Sequence, residues 1–319
     1  MNKKVCVVGA GYWGNNHIKT LYQLGALGGI VESDSKLLEL LSVDYPNVPC
    51  FQDISLALNE DYDGFSIATP AETHYRIAKI IIMSGRHVLI EKPMTLSVSD
   101  AEELLLLSEK FQVNLMVGHV LLFHPAIRKI KEIIIDGSIG DLQYMYSNRL
   151  NLGKVRTEEN VFWSLAPHDI AIFQYLTDSF PNDIQARGST FLQKGIPDST
   201  MTNLKYENGV EGHIFVSWLH PFKEHRLVVI GSEAMISFED SLDSKPLKLY
   251  SKKFDLISGL PEKIDGPVEE IPYKHKMPLT EELEYFLKHL NGKKLKIANG
   301  QQGVDVVKIL VKTSKQLLL

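Results

Sequence analysis

Val5-Cys-Val-Val-Gly9-Ala-Gly11-Tyr-Trp-Gly14 runs an apolar segment straight into three spaced glycines. A short stretch of Val and Cys reads as a strand buried on both faces, the kind found in parallel sheets. The glycines follow it in the order G-x-G-x-x-G and precede a helical pattern at residues 13–24. In that setting the first glycine permits a tight turn and the second lets a pyrophosphate reach the backbone. The third lets helix and strand pack closely. The helix N-terminus supplies amide donors and partial positive charge. A purely structural glycine turn is the competing reading, and the strand-turn-helix placement favours a dinucleotide.

Working outward, strand-like runs at 26–31, 64–69, 87–90 and 115–117 alternate with helical patterns at 35–43, 72–84 and 100–111. N-cap chemistry for the last of these is expected at residues 98–100. This βαβ succession, with the glycine turn, predicts a doubly wound parallel α/β sheet of the dinucleotide-binding Rossmann type over residues 1–119. The pattern then changes. After a helix at 125–135, strands dominate at 142–150, 184–192, 201–206, 210–218, 225–230, 234–238 and 247–250. Asn208-Gly209 between two of them is a hairpin signal. Residues 239–267 read as polar and turn-rich, and helices at 280–290 and 304–317 follow. Residues 120–319 are therefore expected to form an α+β domain with a large, mainly antiparallel sheet flanked by helices. The last helices are free to pack back on the first domain.

Composition removes several functions. With 34 Lys and Arg against 39 Asp and Glu, the net charge is −5 and gives no bulk case for nucleic acid or membrane binding. Two cysteines make neither a disulfide framework nor a zinc pattern. His213, His220 and His225 lack convincing ligand spacing, so no metal is expected. No apolar run approaches the ~18 residues that span a bilayer, and no signal-peptide pattern opens the chain. The expected location is the cytoplasm.

Three strand ends carry the chemistry. Glu32 closes the second strand, 18 residues after Gly14, where a carboxylate accepts hydrogen bonds from the ribose hydroxyls of NAD and repels the 2′-phosphate of NADP. NAD is thus expected over NADP. Tyr12 and Trp13 lie inside the glycine turn. Thr69-Pro70 ends a later strand and is placed against the nicotinamide ribose. His74, five residues on, is read either as a cofactor neighbour or as an exposed first-turn histidine. Val88-Leu-Ile-Glu91-Lys92-Pro93 ends another strand in a lysine at the edge where open α/β sheets bind ligands. Pro93 restricts Lys92 to extended geometry and allows a cis bond. Oxidising a secondary alcohol needs a base beside the hydroxyl, and Lys92 is the candidate.

Taken in order, Gly9-x-Gly11-x-x-Gly14, Ala68-Thr69-Pro70-x-x-x-His74, Glu91-Lys92-Pro93 and Gly118-His119, followed by a sheet-rich second half, resemble the Gfo/Idh/MocA oxidoreductases. The resemblance implies that Lys92 is catalytic and that Glu91 and His119 lie beside the cofactor. It implies an open second-domain sheet with substrate on one face and a subunit interface on the other, giving a homodimer or homotetramer. The family often has an Asp four residues before a histidine of the second domain. Here Ser164 stands at the Asp position, and His168 is expected to share proton handling with Lys92, as a near-neutral imidazole suits. Asp169 is read as serving its helix N-terminus. Where the family often has Arg-Phe after the Gly118 strand, this chain has Leu122-Phe123.

Arg149, Asn151, Arg156 and Trp163 precede His168 and combine guanidinium, amide and aromatic groups, which suit a diphosphate and a sugar ring. Each has a bland alternative as a solvated strand end or a core aromatic. Arg149-Leu-Asn-Leu-Gly-x-x-Arg156 followed by Ala166-Pro167-His168-Asp169 looks like the subgroup oxidising C3 of UDP-linked N-acetylamino sugars, with UDP-GlcNAc or its C6 uronate as substrate, in amino-sugar and lipopolysaccharide synthesis. Lys154 and Arg226 are further cationic candidates for a uronate. The competing readings are an inositol or free-polyol dehydrogenase and a non-catalytic NAD-binding sensor.

Overall fold

The Val-Cys-Val-Val run forms β1 (Val5–Val8), buried at every position. α1 (Tyr12–Gln23), β2 (Leu27–Val31), α2 (Ser35–Asp44), β3 (Cys50–Phe51), α3 (Ile54–Ala57), β4 (Gly64–Ile67), α4 (Ala71–Met83), β5 (His87–Glu91), α5 (Val98–Lys110) and β6 (Leu115–Gly118) follow in a computed structural model that describes residues 3–317. The strands pair in parallel in the order β3-β2-β1-β4-β5-β6. The order reverses between β1 and β4, and ligands of such sheets bind outside the carboxyl ends of the strands at that point. Central strands bury both faces, which is why they read as unbroken apolar runs.

Side chains set the helix starts. Asp34 accepts from the Lys36 and Leu37 amides to cap α2, and Asp53 accepts from the Ser55 amide to cap α3. The cap of α5 is Ser97, whose hydroxyl accepts from the Asp100 amide at 3.2 Å, one residue before the expected 98–100. β3 and α3 were not anticipated, because two- and four-residue elements hold too little periodicity to register.

In the second half come α6 (Pro125–Ile135), β7 (Leu142–Leu152), α7 (Val161–Leu165), α8 (Pro167–Thr177), β8 (Pro181–Ser189), β9 (Ser199–Tyr206), β10 (Glu211–Ser217), β11 (Leu219–Gly231), β12 (Met235–Glu239), β13 (Leu247–Tyr250), β14 (Lys253–Ile257), β15 (Leu260–Ile264) and β16 (Val268–Glu270). Eight of these strands form a mixed sheet, β16-β13-β12-β11-β7-β10-β9-β8. Among the described residues its only parallel pair is β7 with β10. Asn208-Gly209 turns β9 into β10, with Gly209 at φ +82°. α8 lies against the buried face, where a Cβ on Gly212 would sit 2.8 Å from the Phe173 ring. The other face carries Tyr144 and Tyr146 against His213.

Two expectations need correction here. The strand expected at 184–192 ends at Ser189, because the buried Asp198 carboxylate takes the Phe191 and Leu192 amides at 2.6 and 2.8 Å and pulls them out of the ladder. The turn-rich stretch at 239–267 contains the β14–β15 hairpin, closed by Ser258 and Gly259 at φ +54° and +82°. Two positive φ values mark a type I′ turn, and Ser-Gly between alternating runs was its signal.

α9 (Pro278–His289) and α10 (Gly300–Leu317) follow. The chain forms two compact units, Met1–Phe123 with Lys276–Lys308, and His124–His275 with Ile309–Leu319. α9 therefore belongs with the parallel sheet, and the carbonyl of Ala298 accepts from the Val117 amide of β6 at 2.8 Å. Among the described residues no helix is long and apolar enough to cross a membrane.

Candidate active site

Gly9 sits at φ +89°, and a Cβ there would come within 2.7 Å of Thr69 Cγ2. A Cβ on Gly14 would lie 1.9 Å from the Gly9 carbonyl oxygen, so the start of α1 touches the turn itself. Gly11 behaves differently: nothing stands within 4 Å of its absent Cβ. That open side leaves room for a phosphate to approach the backbone. No side chain caps α1 and no acid occupies its first turn, so its leading amides keep their donors for an anion.

Glu32 is built into this turn. Its Oε2 accepts from the Ala10 amide at 2.7 Å, and its Oε1 accepts from the Asp34 amide at 3.0 Å and the Ser33 hydroxyl at 3.3 Å. The carboxylate is thereby fixed at the end of β2 with further lone pairs available to a ribose. Tyr12 and Trp13 stand exposed, edge to face, at the start of α1. The open Gly11 side, the uncapped helix start and the anchored carboxylate fit a dinucleotide.

At the ends of β4 and β5, two loops are fastened by one imidazole. His74 is buried, with Nδ1 2.9 Å from the Pro93 carbonyl oxygen and Nε2 2.8 Å from that of Thr69. The exposed reading of this histidine is thus removed. The Lys92–Pro93 peptide is cis, and Pro93, Met94 and Thr95 are buried around the half-buried Lys92. Thr69 is half-buried and Pro70 exposed, with the Thr69 and Thr73 hydroxyls 2.7 Å apart.

Glu91 and His119, expected beside the cofactor, are enclosed in protein. Glu91 Oε2 accepts from the Lys92 amide at 3.1 Å, and its Oε1 lies 2.9 Å from His17 Nε2. Burial pushes this carboxyl up, but the hydrogen bond and charge of His17, with Lys92 beyond, outweigh it and hold it below the usual range. Burial pulls the His119 imidazole down to about 4, against the Glu91 charge and with that of Lys92. His119 is therefore neutral at pH 7, and neither ring nitrogen has a hydrogen-bond partner among the described residues. His17 carried no sequence signal, since only the packing of α1 on the sheet brings it to Glu91.

The second unit holds the remaining candidates. His168 is half-buried, directly after Pro167 at the start of α8. Asp169 lies in the first turn of α8, as expected, and is buried there. It forms a buried ion pair with Arg149, Nε to Oδ2 at 2.7 Å and Nη2 to Oδ1 at 3.0 Å, and accepts from the Ser147 hydroxyl at 2.5 Å. Arg149 was expected to meet substrate. Its bidentate edge is instead committed to Asp169, and Nη1 lies 3.4 Å from His225 Nδ1. The Trp163 indole donates to Ser314 at 2.7 Å. Arg156 is exposed between β7 and α7, its Nε 3.9 Å from Glu159. Asn151, one residue before the end of β7, folds over Gly153, where a Cβ would meet its Oδ1 at 2.4 Å.

Residues 3–119 match the family described as "Oxidoreductase family, NAD-binding Rossmann fold", and residues 127–237 match the "GFO/IDH/MocA C-terminal domain". The chain belongs to the Gfo/Idh/MocA family. It is an NAD-binding oxidoreductase. Among relatives of this family, it is 25% identical over 309 residues to a UDP-N-acetylglucosamine 3-dehydrogenase of Acidithiobacillus ferrooxidans, covering 94% of this chain and 93% of that one. A solved structure of that dehydrogenase, GnnA, matches with a TM-score of 0.88 at 22% identity, over 100% of this chain and 98% of the other. The WlbA dehydrogenase of Bordetella pertussis, solved with NADH and UDP-GlcNAcA, matches with a TM-score of 0.80 at 18% identity, over 99% and 96%. These likenesses confirm the two-sheet Gfo/Idh/MocA fold.

Proposed function

We propose that this protein oxidises a secondary alcohol of a nucleotide sugar to a ketone, at C3 of UDP-GlcNAc or of its C6 uronate. The observation that carries this reading is the near full-length similarity to a UDP-N-acetylglucosamine 3-dehydrogenase. NAD, when bound, accepts the hydride from the alcohol carbon. Lys92 takes the hydroxyl proton, and His168 is the second group proposed for that proton. His74 keeps the Lys92 loop fastened to Thr69. Asn151 and Arg156 are proposed to contact sugar and diphosphate. Arg149 supports them from within the unit, by holding Asp169 and thus the start of α8. The Tyr144–Tyr146–His213 face of the sheet suits a subunit interface.

The reading is tested by incubating the protein with NAD and either sugar, with and without 2-oxoglutarate, and identifying the product by mass spectrometry. A 3-keto product from one of them is expected. A second reading, an inositol or free-polyol dehydrogenase, gains from the capture of Arg149 by Asp169, since that fork is no longer open to a phosphate. Turnover of a free polyol with none of either UDP-sugar would select it.

Cofactor choice provides a separate check. Replacing Glu32 with Gln keeps an acceptor for the Ala10 amide but removes the charge that opposes a 2′-phosphate. The expected outcome is a lower NAD-to-NADP ratio of kcat/KM. An unchanged ratio would show that Glu32 does not discriminate.

A further inference from the structure

Behind the strand end that carries Lys92 lies a polar cluster that the proposed reaction does not use. His17 of α1, Glu91 of β5 and Glu282 of α9 are 0%, 7% and 0% exposed. Each brings a side-chain nitrogen or oxygen within 4.8 Å of the other two. Glu91 is satisfied on both oxygens, by His17 and by the Lys92 amide. His17 is satisfied too, with Nδ1 2.8 Å from the Ser66 hydroxyl. Glu282 is not: neither carboxyl oxygen has a hydrogen-bond partner among the described residues.

An ionised carboxylate sealed from water without a donor is strongly disfavoured, whereas the neutral acid is tolerated. The titratable groups facing Glu282 are Glu91 and His17, and the Lys92 and His119 side chains interact in turn with Glu91. Burial, reinforced by the Glu91 charge, raises the Glu282 carboxyl well above its ordinary value of 4.5. Two ionised carboxylates this close would push Glu91 away, and Glu91 holds the Lys92 amide.

We propose that Glu282 is a positioning residue, a buried neutral acid whose retained proton lets Glu91 alone carry negative charge and hold the Lys92 strand end in place. Its bearing on the reaction rests on the role proposed for Lys92; the retained proton does not.

The sign of the pH effect follows from linkage. The folded chain keeps a proton that the unfolded chain releases above about pH 4.5. The Glu282 contribution to stability is therefore complete below that pH and is lost as pH rises toward the folded value. The test uses the full chain without substrate. Thermal midpoints of wild type, Glu282→Gln and Glu282→Leu are followed from about pH 5 to about pH 8. Infrared spectra of wild type and Glu282→Gln are compared at pH 7. The wild-type midpoint is expected to fall with pH relative to both variants, and a neutral-acid carbonyl band is expected in wild type and absent from Glu282→Gln. Glu282→Leu keeps the test valid where Gln itself perturbs packing. Parallel midpoints, a missing band or a stoichiometric divalent metal in the purified protein would each overturn the proposal. With a turned-over sugar in hand, the kcat/KM profile of Glu282→Gln is expected to follow wild type at low pH and depart from it at high pH. Coincident profiles throughout, with the infrared band present, would remove the positioning role while leaving the sugar assignment untouched.

Discussion

Lys92→Ala lowers turnover about 10²- to 10⁴-fold, the usual contribution of a positioned proton-transfer group, while NADH still binds. The prediction rests on the separation of tasks within the first unit. The glycine turn, Glu32 and the start of α1 make up the proposed dinucleotide site. Lys92 sits on a different strand end, tied down by His74 and the buried Pro93. Truncating its side chain leaves both devices standing. Lys92→Arg is expected to fail as well, because a guanidinium does not release its proton at working pH. Steady-state NADH formation beside fluorescence titration of NADH checks both variants. Turnover near wild type in Lys92→Ala would remove the central assignment, and loss of NADH binding would assign Lys92 to the cofactor instead.

Arg149→Ala is expected to destabilise the second unit by about 3–5 kcal/mol, the cost of leaving a buried charge without its partner. Asp169 is 3% exposed and Arg149 9% exposed, so solvent cannot replace the lost guanidinium. Burial opposes the Arg149 charge, yet Asp169 more than offsets it and holds its proton more firmly than usual. The double variant Arg149→Met with Asp169→Leu removes both charges, and its stability is expected to return close to wild type. Urea denaturation of the three proteins decides. A loss below about 1 kcal/mol for Arg149→Ala, typical of an exposed pair, would mean that the fork is open and free for a ligand.

The sequence was legible wherever function and local geometry coincide. Gly9, Gly11 and Gly14 name their own backbone requirements, and the order of apolar strands specifies the parallel sheet. Asn208-Gly209 announces its turn. Ser258-Gly259 announced one too, but its flanking strands were too polar to stand out. What stayed hidden depends on contacts distant in sequence. Arg149 reads as a phosphate fork until Asp169 is seen beside it, 20 residues away. His74 reads equally as a cofactor neighbour or a surface histidine until its bonds to the Pro93 and Thr69 carbonyls are seen. Glu282 lies in an ordinary amphipathic helix and becomes unusual only because α9 joins the first unit beside His17 and Glu91.

The most direct measurement of the account uses UDP-GlcNAc, and in parallel its C6 uronate, each deuterated at C3 and incubated with the protein and NAD. Deuterium recovered in NADH together with a 3-keto sugar nucleotide is the predicted result. Deuterium retained in an unchanged sugar, under conditions where NAD is bound and a free polyol is oxidised, would contradict it.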